Sequence, residues 1–194
     1  MDCLIVYAHP NPKSFNHAIK ETIEKKLSEN GKTFGTRDLY SLGFDPILKP
    51  DDFIAMQKGS YLDDVKKEQE FIKQADTVIF IHPIWWYSMP AILKGYIDRV
   101  FSYGFAYAQV DNQIKPLLTD KKVVIFNTLG ETKDQCESAG ICPCLHKTIG
   151  GTFEFCGMEV LKHKLFFAVP YVSDEIRKVY LKEVEEILDE ILKT

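Results

Sequence analysis

Residues 3–7 read Cys-Leu-Ile-Val-Tyr, and comparable apolar runs return at 78–81 (Val-Ile-Phe-Ile), within 122–127 and within 164–169. A strand that is apolar at consecutive positions has no polar face to give to water, so it must be covered on both sides, as in a parallel sheet. The segments between these runs carry the helical period instead. Phe15, Ile19, Ile23 and Leu27 recur every four residues and stop at Asn30-Gly31, where a residue tolerant of positive φ ends a helix. Leu62, Val65, Ile72 and Ala75 mark a second helix with a charged outer face, and Pro90 opens a third whose inner face is Leu93, Tyr96 or Ile97, and Val100. A less regular helix is expected over 143–155, across Gly150-Gly151. Ser173 caps a last one, with Asp174 and Glu175 in its first turn. Strands at 2–8, 32–40, 77–81, 122–127 and 164–169 alternating with these helices predict an α/β three-layer sandwich, and 41–60, with Gly43, Pro46, Pro50 and Gly59, reads as irregular.

At 194 residues, without repeats or linkers, the chain is expected to form one domain over 1–194. Its net charge of −4 argues against a general nucleic-acid binder, which needs a basic face. No run approaches the length of a membrane span, and Met1-Asp2-Cys3 lacks the basic start of a signal peptide, so a cytoplasmic location is expected. Cys136, Cys142, Cys144 and Cys156 cluster, with His146 nearby, but Cys142-Pro143-Cys144 is too tight for a zinc knuckle. Reduced thiols in packing or loop positions, and no metal site, are the expectation, with zinc or a redox pair as the lesser alternative.

In doubly wound sheets, ligands bind beyond the carboxyl ends of the strands. Three segments fall there. The first is His9-Pro10-Asn11-Pro12-Lys13-Ser14-Phe15-Asn16, a strand-to-helix loop whose free amides suit an anion; Ser14 can equally be a plain helix cap. It carries neither of the common glycine-rich phosphate loops. The second is Pro83-Ile84-Trp85-Trp86-Tyr87-Ser88-Met89-Pro90, which holds both tryptophans of the chain. Adjacent aromatics at a strand end suit a flat ring ligand, a subunit contact, or a loop folded back on the core. The third is Asn127-Thr128-Leu129-Gly130, where Gly130 permits close backbone approach.

Taken together with Asp38-Leu39-Tyr40, Phe44-Asp45-Pro46, Ala91-Ile92-Leu93-Lys94-Gly95, Asp98-Arg99-Val100-Phe101, Gly104-Phe105-Ala106-Tyr107 and Phe155-Cys156-Gly157, these segments give the chain a resemblance. It resembles the flavodoxin-like-fold family of NAD(P)H:quinone oxidoreductases, which includes YwrO-like enzymes and ancillary flavoproteins of potassium efflux systems. The resemblance implies a five-stranded parallel sheet in the order 2-1-3-4-5. It also implies a non-covalent flavin, FMN ahead of FAD, with NAD(P)H as co-substrate and a quinone or similar small molecule as acceptor in a ping-pong reaction.

Carried over by position, His9, Ser14, Phe15 and Asn16 would hold the flavin phosphate. Pro83, Ile84, Trp85, Trp86 and Tyr87 would wrap the ring, and Asn127, Thr128, Leu129 and Gly130 would close the other side. Tyr107 matches an aromatic that reaches across a homodimer interface toward the partner's substrate pocket. Apart from the resemblance, Tyr96, Phe101, Tyr103, Phe105 and Tyr107 read as a flat contact surface for a second copy, with ordinary core packing as the alternative for several of them. The match has gaps. Animal members carry a Tyr and a His after the fourth strand, where this chain has Glu131-Thr132-Lys133-Asp134-Gln135-Cys136, and a second family tyrosine is Gln109 here. The alternatives are a flavin-bound regulatory subunit of a potassium efflux system and an electron-carrier flavodoxin.

Overall fold

The structure, a computed structural model describing residues 1–193, is built on a central sheet. Its strands β1 (Cys3–Tyr7), β2 (Phe34–Asp38), β3 (Thr77–Pro83), β6 (Lys122–Thr128) and β7 (Glu159–Phe166) are all parallel, in the order β2-β1-β3-β6-β7. The numbering skips because β4 (Tyr107–Val110) and β5 (Gln113–Pro116) form a separate antiparallel hairpin, which the sequence reading does not contain.

Alternation along the buried strands decides what each face receives. Ile5, Ile79, Val124 and Phe126 point to one side, where α1 (Phe15–Glu29) and α8 (Asp174–Ile191) bury Ile19, Ile23, Val184 and Leu188 against them. Leu4, Val6, Phe80 and Ile125 point to the other. They meet Ile72 of α3 (Asp63–Gln74), Leu93 and Tyr96 of α4 (Ala91–Val100), and Phe153 further on.

The structure corrects the sequence reading at four places. The stretch 41–60 holds α2 (Pro50–Gln57), in which the proline starts the helix and the Lys49 amide donates to Asp52 Oδ2 at 2.9 Å. β7 begins at Glu159, earlier than expected, because this edge strand is only partly buried and its polar residues broke the apolar run. A short α5 (Lys133–Ser138) precedes the helix expected over 143–155, which is present as one continuous stretch of α6 (Ile141–Leu145), a π-helical turn (His146–Gly150) and α7 (Gly151–Phe155). Tyr96, Phe101 and Phe105, read as contact surface, are instead buried in the core. Cys136 and Cys142 are not free thiols: α5 and α6 bring their Cα atoms to 5.3 Å, and they form a disulfide. Cys3 and Cys156 are buried thiols and Cys144 is exposed. Among the described residues, no helix is long and apolar enough to cross a membrane, and no three His, Cys, Asp or Glu side chains are placed to hold a metal.

Gly95 shows why the small residue of α4 is required. A Cβ there would lie 2.1 Å from the Pro46 carbonyl oxygen and 2.4 Å from the Pro46 Cβ, and backbone cannot step aside as a flexible side chain can. Gly95→Ala is therefore expected to destabilise the protein by about 2 kcal/mol, in the range of core overpacking. Urea unfolding of the two proteins measures it, and an unchanged midpoint would contradict the close approach.

Candidate functional site

β1, β3 and β6 end side by side, with Tyr7 in register with Ile81 and Pro83 with Thr128. The segments that leave them border one cleft of about 1120 Å³, slightly above the usual ~300–1,000 Å³ of small-molecule sites. His9, Ser14, Phe15, Asn16, Pro83, Ile84, Trp85, Trp86, Thr128, Leu129 and Gly130 all line it.

One wall is the N-terminus of α1. Ser14 caps the helix, its Oγ accepting from the His17 amide at 3.1 Å. The Phe15 ring packs edge-on against Phe166 and Tyr180 and does not reach across the cleft. In the first helical turn the Phe15 and Asn16 amides have no carbonyl to bond within the chain, which is the arrangement that seats anions. The Asn16 side chain is 3% exposed. Its Nδ2 donates to Thr128 Oγ1 at 2.8 Å, while its Oδ1 has no partner. Turning the amide over keeps the Thr128 bond, with the hydroxyl donating, and places the NH2 at the unpartnered position instead. Either way a buried amide head has an unmet hydrogen bond at the cleft, an expense of about 1–3 kcal/mol until a ligand meets it.

Opposite stands a tight turn of bulky residues. The Trp85 amide donates to the Ser88 carbonyl at 3.0 Å and the Ser88 amide returns to the Trp85 carbonyl at 3.1 Å. Between them Trp86 and Tyr87 have φ of 51° and 59°. Two-residue turns with both central φ positive normally take Asn-Gly or Asp-Gly, so an aromatic pair here holds backbone strain of the kind that clusters at ligand clamps. Trp86 is 96% exposed, and the Trp86 and Tyr87 amides make no backbone hydrogen bond. The amides of Ile84 and Trp85, by contrast, are already spent on Thr128 and Ser88. Trp85 meets His9 edge-on at 5.7 Å between ring centres.

Three of the residues singled out in the sequence do not line the cleft. Asn127 is fully buried, its amide bonded to His82 and His163. Tyr87 is exposed and is not part of the cleft wall. Tyr107 borders a second cavity of about 550 Å³ with Phe53, Phe101 and Tyr103. Conversely, the cleft has an end absent from the sequence reading, formed by Glu131, Gln135, Val169, Pro170, Tyr171, Asp174 and Arg177. The carboxyl-end rule, extended to the segment after β7, points to most of them.

Charge in the cleft is modest. Lys13 stands beside the α1 amides. Arg177 is held by Asp174 Oδ1 at 2.6 Å and by the Val169 carbonyl. Burial lowers the His9 pKa, and its Nδ1 accepts from the Asn11 amide at 3.0 Å, so at neutral pH it offers a neutral ring with an Nε2–H.

Beneath the cleft floor, burial pushes His82 down to about 4 from 6.5. An unfolded chain therefore takes up a proton at His82 as pH falls below 6.5, whereas the folded chain resists until about 4. Stability from this residue is full above pH 6.5 and is lost progressively down to about pH 4. We expect a loss of about 3 kcal/mol over that interval from His82, measured by denaturant titration at several pH values. His82→Phe should flatten the slope, and an identical slope in that variant would contradict the assignment.

Comparison with known proteins agrees with this architecture. The family described as having a flavodoxin-like fold matches residues 1–188. A Haemophilus influenzae protein named uncharacterized NAD(P)H oxidoreductase is 39% identical over 184 residues, covering 94% of this chain and 91% of its own length. The ribosyldihydronicotinamide dehydrogenase [quinone] of Rattus norvegicus is 34% identical over 215 aligned residues, covering 98% of this chain and 91% of its own. Among solved structures, the NAD(P)H:quinone oxidoreductase from Methanothermobacter marburgensis superposes with a TM-score of 0.86 at 30% identity, covering 96% of each chain.

Proposed function

Because the chain belongs to the flavodoxin-like fold family, we propose that its cleft holds a flavin nucleotide without a covalent bond and that the protein is an NAD(P)H-dependent oxidoreductase reducing a quinone or similar acceptor. The observation that carries this reading is the single cleft that faces the amide-rich start of α1 toward the strained, solvent-facing Trp86-Tyr87 turn. One end suits a phosphate and the other a flat ring. The names borne by relatives that align over nearly the whole chain support the same activity.

The residues present fit such a group. The Phe15 and Asn16 backbone amides and Lys13 answer a phosphate, and the Asn16 side chain does so in the orientation in which Thr128 donates to its oxygen and its NH2 takes the unpartnered position. Trp85 and Trp86 offer ring faces, and the free Trp86 amide offers a donor to the polar edge of a ring. A bound flavin supplies the hydride-accepting chemistry. The protein's part is to fix the ring, to keep one face open to solvent-borne reactants, and to aim N–H groups where negative charge gathers. Nicotinamide and quinone would use that open face in turn, which is the basis for a ping-pong order.

FMN would be held by residues between Ser14 and Trp86. The remaining end, with Tyr171, Asp174 and Arg177, supplies an aromatic ring and a guanidinium where a second nucleotide would lie, and this observation favours FAD as the second reading. Tyr107, remote from the cleft within one chain, fits a role in trans. The exposed Phe53, Tyr103, Val110 and Ile114 around it support a homodimer. Initial rates measured against NADH or NADPH at several quinone concentrations test the proposal. Parallel double-reciprocal lines are expected, while no turnover with either nucleotide in flavin-loaded protein would overturn the enzymatic reading in favour of a regulatory subunit.

A further inference from the structure

One residue below the cleft lining runs a file of hydrogen bonds that the proposed reaction does not use. His82 Nδ1 meets the Pro83 carbonyl at 2.9 Å, and His82 Nε2 meets Asn127 Nδ2 at 3.0 Å. Asn127 Oδ1 meets His163 Nε2 at 2.7 Å, and His163 Nδ1 meets His146 Nδ1 at 3.0 Å. The proton positions follow by elimination. A carbonyl only accepts, so His82 carries its hydrogen on Nδ1 and accepts at Nε2. Asn127 must then donate there through its NH2, which leaves its oxygen to accept from His163 Nε2–H. His163, neutral in its buried setting, has only an acceptor left at Nδ1, so His146 donates to it from Nδ1. Every donor points inward, from the exposed His146 to the carbonyl of Pro83, a cleft residue.

The backbone gives a second, independent sign. The stretch from Ile141 to Phe155 is α-helical except for one π-helical turn, and that turn begins at His146. Single π turns inside α-helical segments concentrate at functional sites.

The surroundings of His146 are simple. Its neighbours one turn away on the helix, Cys142, Pro143, Ile149 and Gly150, carry no charge, Cys142 being in the disulfide; Lys147 follows it directly. From β7 it meets His163. Lys162 and Lys164 flank His163 but are in register with Val124 and Phe126, which face the opposite core, whereas His163 is in register with Ile125. The charges acting on His163 are those of His146 and His82. An amide cannot relay a proton as an imidazole does, so Asn127 makes this file a carrier of polarisation and not a proton wire.

We propose that the file couples protonation of His146 at the surface to the floor of the cleft. A proton taken from solvent at His146 Nε2 makes its Nδ1–H a stronger donor. Each bond inward strengthens in turn, and the Pro83 carbonyl is polarised further, so that the N–H of the same peptide unit, that of Ile84, becomes more positive in character. The consequence, a cleft that favours a negatively charged occupant more as pH falls, rests on the flavin reading; the coupling itself does not.

Nitrogen-15 NMR of the full-length protein as purified tests it. Neutral His82 should show its hydrogen on Nδ1 and His163 on Nε2. The Ile84 amide should shift with the titration of His146. His146→Asn keeps a donor near the Nδ1 position but takes no proton. It should therefore preserve both tautomers and abolish the Ile84 inflection, and in flavin-loaded protein it should remove the matching inflection from the pH dependence of the midpoint potential. An Ile84 inflection unchanged in His146→Asn, or a His82 hydrogen on Nε2, overturns the proposal. Should no flavin bind to any variant, the flavin reading fails while the amide titration still decides the coupling.

Discussion

Replacing Arg99 by methionine is expected to cost about 3–5 kcal/mol, the usual penalty for stranding the partner of a buried ion pair. Arg99 is 4% exposed, and its guanidinium reaches Asp52 Oδ1 from Nε at 3.1 Å and from Nη2 at 3.0 Å. It also donates to Asp64 Oδ2 at 2.6 Å and to the Asp45 carbonyl at 2.8 Å, and it lies over the Phe44 ring. One side chain thereby ties α2, α3 and the 44–46 loop to α4. Methionine keeps most of the volume but leaves the buried Asp52 carboxylate unpaired. Thermal unfolding should show a midpoint lowered by roughly 10 °C, and adding Asp52→Asn should recover part of the loss. A single variant as stable as the parent would show that this face of the molecule is held by apolar packing alone.

The second large effect lies in the cleft. Asn16→Asp should lower affinity for a phosphate-bearing flavin about a thousandfold, because a carboxylate at a few ångströms opposes the phosphate by ~4 kcal/mol at an effective dielectric near 20. The substitution is nearly isosteric. Its oxygen can accept from Thr128 Oγ1, to which Asn16 is now bonded at 2.8 Å, and an acidic residue in the first turn of α1 suits the helix dipole. Folding should therefore survive while binding fails. Fluorescence titration with FMN and with FAD reads the affinity, and circular dichroism checks the fold. An affinity within threefold of the parent would place the phosphate elsewhere.

What the sequence discloses follows from burial. β1 and β3 are covered on both faces, so their residues are apolar at every step and announce themselves. β7 stands at the sheet edge, where Lys162, His163 and Lys164 are tolerated and hide the strand start. Pro50 misleads because one residue type both breaks helices and begins them. The β4–β5 hairpin carried a usable sign in Asp111-Asn112, which adopts φ of 50° and 59° and is close to the favoured turn pairs. In the site, the ends of β1, β3 and β6 could be found because the carboxyl-end rule depends on topology alone. Adjacency groups Asn127 with Thr128, yet neighbours on a strand face opposite ways. Thr128 meets Asn16 at the cleft, and Asn127 turns to His82 and His163. The Cys136–Cys142 bond has no counterpart in spacing, since it depends on how two short helices meet.

Each role assigned to a cleft residue requires a flavin between the start of α1 and the Trp86-Tyr87 turn. The most direct measurement is the absorption spectrum of the purified protein, followed by mass analysis of whatever small molecule heat releases from it. A yellow protein yielding FMN or FAD in near one-to-one ratio, with tryptophan fluorescence quenched when the flavin is restored, is the predicted result. A colourless protein that leaves added FMN and FAD unbound would contradict it.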